Sequence, residues 1–153
     1  MVMDLARDPY VPLIGTIPAD AGPDEALDWI ERNLRRWDEG AGFSFAVALA
    51  ASDLAVGAAG LWPVPEAPGR ARAGYAIAPR ARRCGYAADA LTAVTAFAWT
   101  LPGLDRVELF IEPWNVGSLR AAERAGYTSQ GLVPAHQEIG GVRRDMLLYV
   151  TDR

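Results

Sequence analysis

The chain has 153 residues, 51% of them hydrophobic and 22% charged, with a net charge of −4, which predicts a single globular domain over 1–153 with a core that needs no staples. The acidic balance argues against a general nucleic-acid binder, the single cysteine excludes an internal disulfide, and the single histidine argues against a histidine-rich metal site. No apolar run spans a bilayer and Asp4, Arg7 and Asp8 interrupt the first ten residues, so no membrane role is expected and the expected location is the cytoplasm.

Met1 to Arg7 fits one or two helical turns, and Tyr10 to Gly22 reads as a loop punctuated by Pro12, Gly15, Pro18 and Gly22. Pro23 suits a first helical position, with Asp24 and Glu25 at the positive end of the dipole. Leu27, Ile30, Leu34 and Trp37 follow at three- and four-residue steps, predicting an amphipathic helix ended by Gly40 and Gly42. Phe43–Ala50 and Val56–Leu61 read as a hairpin around Ala51-Ser52-Asp53, and Trp62–Gly69 as a proline-rich loop. Arg72–Ala78 alternates as a strand, with Ala73, Tyr75 and Ile77 on one face. Asp89–Trp99 is helical, Arg106–Glu112 is a strand, and Ser118–Ala125 is a short helix with Gly126 after it. A final hairpin, Gly131–Ile139 and Arg143–Val150, turns at Gly140-Gly141. This order predicts a mixed sheet in an α/β or α+β domain.

Arg82-Arg83-Cys84-Gly85-Tyr86-Ala87-Ala88 is the segment with the most chemical content. It joins a strand to a helix, where unpaired N–H groups and the helix dipole form an anion site. Gly85 and two alanines allow close approach, and Arg80, Arg82 and Arg83 add positive charge; a pyrophosphate is the expected ligand. The strands on either side of this helix run into Pro79 and Pro113. If they are parallel neighbours, pairing fails at the same end of both and leaves a wedge whose free backbone groups suit an extended amide ligand.

Together these residues resemble the GNAT N-acetyltransferases. The family's acetyl-CoA motif, Gln/Arg-x-x-Gly-x-Gly/Ala, is met by Arg82, Gly85 and Ala87 after Gly74-Tyr75-Ala76-Ile77-Ala78. Asn115-Val116-Gly117-Ser118 with Glu123-Arg124-Ala125-Gly126-Tyr127 is similar to the subgroup that acetylates ribosomal-protein N-termini (RimJ/RimL-like). Val56–Leu61 matches the family's third strand, and the resemblance runs from about Pro23 to Tyr149. It implies a mixed, mostly antiparallel sheet with a splayed parallel pair and flanking helices. It implies acetyl-CoA as co-substrate, with Ile77 and Ala78 offering backbone groups to the pantetheine and thioester. Arg82, Arg83, Cys84, Gly85, Tyr86, Ala87 and Ala88 would hold the pyrophosphate, Asn115 would reach the pantetheine, and Ser118 would sit near the sulfur. No Gly-x-Gly-x-x-Gly and no P-loop supports a rival nucleotide reading.

Amine acetylation needs deprotonation of an ammonium, a pre-aimed donor for the oxyanion, and a proton for the departing thiolate. The Ala78 N–H is the expected oxyanion donor. Many relatives carry a tyrosine acid four residues after the Ser118 position; here Ala122 stands there, so Ser118 is the expected acid, unless it only caps its helix. Glu112 and His136 are the candidate bases, with water as an alternative. Trp29, Trp37 and Trp99 are expected in the core, and Trp62 and Trp114 beside the acceptor.

Relatives open with a strand that has no counterpart here, which predicts Phe43–Ala50 as an unguarded sheet edge, through truncation or coverage by a second copy in a homodimer. The expected activity is acetyl transfer to a primary amine, either a peptide N-terminus or a small molecule such as an antibiotic or polyamine. The alternative is a non-catalytic acyl-CoA-binding module. The acidic net charge mildly favours a cationic acceptor.

Overall fold

The computed structural model, which describes residues 1–153, contains six strands: β1 (Phe43–Ala48), β2 (Ala55–Pro63), β3 (Arg70–Ile77), β4 (Arg106–Ile111), β5 (Thr128–Ile139) and β6 (Val142–Asp152). The helices are α1 (Val2–Ala6), α2 (Val11–Ile14), α3 (Pro23–Asp38), α4 (Tyr86–Ala98) and α5 (Val116–Arg124). One mixed sheet runs in the order β1-β2-β3-β4-β6-β5. All neighbours are antiparallel except β3 and β4, which are parallel because α4 carries the chain from one to the other.

The main core lies between the sheet and α4. Leu91 and Ala98 of α4 are fully buried against Leu61, Val107 and Leu109, and a buried leucine is worth roughly 1.5–3 kcal/mol. A hydroxyl pair at 2.6 Å, Thr95 with Tyr127, ties α4 to the start of β5. A second cluster, including Val2, Leu5, Val11, Ile17 and Ala78, fastens the N-terminal helices to the end of β3. The expected Tyr10–Gly22 loop thus contains a short helix, whose first N–H groups, Tyr10 and Val11, donate to Asp8 Oδ1 at 2.9 and 3.0 Å.

The helix α3 forms where expected but turns the other way. Leu34 and Trp37 are 68% and 63% exposed, and Leu27 and Ile30 are exposed too. Trp29, Asn33 and Arg36 face the sheet instead, with Asn33 Oδ1 accepting from the Ser44 hydroxyl at 3.0 Å. This face of α3, with the buried Ala26, forms one wall of a cavity over the sheet. Strand β1 pairs on one side only, with β2, leaving the edge that the sequence predicts. No helix is long and apolar enough to cross a membrane.

The sheet divides between β3 and β4. Strand β3 stays paired to β2 as far as Ile77 opposite Gly57, and β4 to β6 as far as Ile111 opposite Leu147. The two pair with each other only over Arg70–Arg72 and Arg106–Glu108. The gap therefore opens well before Pro79 and Pro113, where the prolines had placed it. Each half follows its outer antiparallel partner, and the twist of the sheet carries the halves apart.

Candidate active site

The wedge has direct consequences for the backbone. Ala78 N–H donates to Val56 O at 2.8 Å, and Val64 N–H to Arg70 O at 3.0 Å. With the β2–β3 register, this pattern turns the N–H and C=O groups of even-numbered β3 residues toward β2. Tyr75 and Ile77 turn theirs toward the gap. The expected oxyanion donor, Ala78, is thus already bonded and fully buried. The free donors on this strand are Tyr75 and Ile77.

On the α4 side of the gap lies a cavity of about 610 Å³. Ile77, Arg82, Arg83 and Gly85 line it, with Tyr86, Ala87 and Ala88 from the first turn of α4 and Asn115 and Ser118 from the start of α5. The backbone N–H groups of Arg83, Cys84, Gly85, Tyr86 and Ala87 donate to no protein acceptor. Arg83 and Gly85 adopt left-handed φ values of 65° and 86°, which turn successive N–H groups inward. Cys84 contributes its N–H, but its exposed thiol lies outside the cavity.

The cations differ from expectation. Arg82 Nε donates to Ile77 O at 2.9 Å and its Nη2 lies 2.7 Å from Asp8 Oδ2. Arg80 pairs with Asp4 at 2.9 Å. Both guanidiniums therefore tie down the N-terminal segment, and Arg82 lines the cavity with its charge already paired. Arg120 and Arg124, four residues apart on α5, line the cavity with Arg83. Their spacing after Ser118 was the available signal.

At the junction of this cavity with its neighbour stand Asn115, Ser118 and Tyr75, which line both. Asn115, not Ser118, is the N-cap of α5: its Oδ1 accepts from Ser118 N–H at 3.2 Å. The Ser118 hydroxyl is thereby left for other work. The Tyr75 hydroxyl is buried without a hydrogen-bond partner in the protein. Burial pushes its pKa up, and the nearby Ser118 hydroxyl pulls the other way. An orphaned buried hydroxyl is costly, so Tyr75 is the residue whose position most calls for a ligand.

The second cavity, about 650 Å³, opens on the α3 face. The Trp62 indole forms part of its wall and lies across Gly60 and Gly74: a Cβ at either would sit 2.5 or 3.0 Å from the ring. Trp29 packs against the second core cluster and lines the same space, with Nε1 donating to Thr16 Oγ1 at 3.0 Å. Trp114, expected here, lines the α4-side cavity instead and packs edge-on against Tyr10, centroids 5.0 Å apart. Glu112 is buried in the cavity wall, 3.9 Å from Arg144 Nε. Burial, and then the Glu112 carboxylate beside its hydroxyl, push the Tyr10 phenol up. His136 stacks on Phe110 at 3.9 Å between centroids. Burial, followed by Arg72 and Arg143, pushes its pKa down. No cluster of three or more metal-ligating side chains is present.

A sequence profile described as an acetyltransferase (GNAT) domain matches residues 2–128. The chain is 23% identical over 142 residues to the uncharacterized N-acetyltransferase p20 of Bacillus licheniformis, covering 93% of this chain and 80% of that protein. Among solved structures, a putative ribosomal-protein-serine acetyltransferase from Vibrio cholerae superposes with a TM-score of 0.76 at 26% identity, over 86% of this chain and 76% of that one. The microcin C7 self-immunity acetyltransferase MccE, solved with acetyl-CoA and AMP, shares the fold with a TM-score of 0.77 at 16% identity, over 88% and 73%.

Proposed function

The chain belongs to the GNAT acetyltransferases, which use acetyl-CoA, and we propose that it acetylates the primary amine of a peptide N-terminus or small acceptor in the α3-side cavity. The observation that carries this reading is the run of five unbonded N–H groups, Arg83 to Ala87, opening on a cleft that leads to the orphan Tyr75 hydroxyl. That cradle fits a pyrophosphate, aided by Arg120 and Arg124. The free N–H of Ile77 suits a carbonyl of a pantetheine arm.

When bound, acetyl-CoA supplies an acetyl thioester for the amine to attack. Glu112, buried beside Tyr10, takes the ammonium proton. The free N–H of Tyr75 stabilises the charge on the carbonyl oxygen. As the C–N bond forms and the C–S bond breaks, the Tyr75 hydroxyl, which lies near Ser118, gives the sulfur its proton. Tyr75 then recovers the first proton from Glu112 through solvent. The second proton of the attacking nitrogen passes to solvent as the amide forms, so one proton is released overall. This assignment replaces the absent tyrosine at Ala122 with one from β3.

The reading is tested by following thiol release from acetyl-CoA across peptides with free α-amines, polyamines and aminoglycosides. Amine-dependent release supports it. Tight acetyl-CoA binding with no release from any amine identifies a non-catalytic acyl-CoA-binding module instead.

A further inference from the structure

The α3-side cavity contains two guanidiniums that no carboxylate within 4.0 Å neutralises. Arg36 lies over the Trp62 ring at 5.6 Å and Arg72 over the Phe110 ring at 5.1 Å. Neither forms an ion pair, although six other arginines do. The nearby Glu108 carboxylate is taken by Arg70 at 3.2 Å. An aromatic face steadies an arginine without cancelling its charge. Both side chains are thus held at the cavity wall with their donors available.

The negative group in the wall is Glu112, and its place is different. It neighbours Tyr10, which lines both cavities, whereas Arg36 and Arg72 line only the α3-side one. The cavity is therefore polarised, with a carboxylate toward the junction and two cations farther from it.

From this arrangement we infer that the acceptor is an amine that also carries an anionic group, carboxylate or phosphate, with the amine at Glu112 and the anion at Arg36 and Arg72. The inference rests on the acetyl-transfer reading and narrows its substrate class. It reverses the expectation of a cationic acceptor drawn from net charge, because the acidic residues lie elsewhere. A polyamine would set its second ammonium against two guanidiniums, at a cost of like-charge contact. The lowered pKa of His136, to which Arg72 and Arg143 contribute after burial, agrees with a positive field there.

The test uses matched peptide amides, Ser-Glu-Gly, Ser-Gly-Glu, Ser-Gln-Gly and Ser-Lys-Gly, with O-phosphoserine and spermidine. Thiol release is measured with acetyl-CoA, and binding by calorimetry in the presence of CoA. At least one Glu peptide or O-phosphoserine is expected to exceed the Gln and Lys peptides in kcat/KM and in affinity by about tenfold or more. Preference for a Glu peptide points to a peptide acceptor; preference for O-phosphoserine points to a small molecule. Arg72→Glu is expected to invert the Glu-over-Lys ratio, and Arg36→Gln to reduce it. Equal treatment of all peptides, or preference for Ser-Lys-Gly or spermidine, overturns the inference while leaving acetyl transfer intact. If no amine releases thiol, the acetyl-transfer reading fails, and the binding ratios still decide the charge preference.

Discussion

Asp8 and Arg82 are joined by a 2.7 Å contact between Oδ2 and Nη2, so the N-terminal helices and the strand-to-helix junction form one unit. Asp8 also accepts from the N–H groups of Tyr10 and Val11. Burial works to raise its pKa, but those two N–H groups and Arg82 outweigh it and hold the carboxyl below its usual 3.8. Asp8→Ala is expected to lose about 2–3 kcal/mol, measured by urea unfolding. A depressed carboxylate stabilises the fold above its unfolded pKa and loses that contribution as pH falls through the folded one. The gap between wild type and Asp8→Ala is therefore constant above about pH 5 and shrinks below pH 4.

Tyr75→Phe removes a hydroxyl that has no partner in the protein. The variant is expected to unfold at the same temperature or higher, because an unsatisfied buried hydroxyl costs about 1–3 kcal/mol. Its kcat is expected to fall about a hundredfold, the scale of general-acid assistance, with little change in acetyl-CoA affinity. A kcat equal to wild type removes Tyr75 from the chemistry.

Gly85 has a φ of 86°, and a Cβ there would stand 3.1 Å from Arg124 Nη1. Gly85→Glu strains this turn and sets a carboxylate against the cation that lines the anion cradle. Acetyl-CoA affinity is expected to fall about a hundredfold, the worth of two charge-assisted hydrogen bonds, while circular dichroism stays that of a folded protein. Unchanged affinity in a folded variant rules out the cradle.

Gly60 leaves room for the Trp62 ring, which a Cβ would meet at 2.5 Å. Gly60→Ala is expected to displace the indole, shift its fluorescence and cost about 1–3 kcal/mol. The acceptor KM should rise while acetyl-CoA affinity holds, because Trp62 lines only the α3-side cavity.

The sequence carries the order of elements, the parallel pair and the glycine turn before α4, since these depend on local signals such as Gly85 and the alternation of Arg72–Ala78. Other features depend on long-range partners and could not be read. Arg82 meets Asp8 only because α1 folds back on β3, so its charge looked free. The apolar steps of Leu27, Ile30, Leu34 and Trp37 locate a helix but not the face it turns inward, which is the one carrying Trp29, Asn33 and Arg36. Tyr75 shares a strand face with Ala73 and Ile77, and alternation alone gives its hydroxyl no role. Its approach to Ser118 arises from the splaying of the sheet, which no residue near β3 announces.

Hydrogen exchange of the intact protein with and without acetyl-CoA tests the central claim most directly. Peptides covering Tyr75–Ile77, Arg83–Ala88 and Asn115–Ala121 are expected to gain protection, because the first two carry free N–H groups beside the cleft and the third forms its wall. Binding accompanied by unchanged exchange at Arg83–Ala87 would contradict the account.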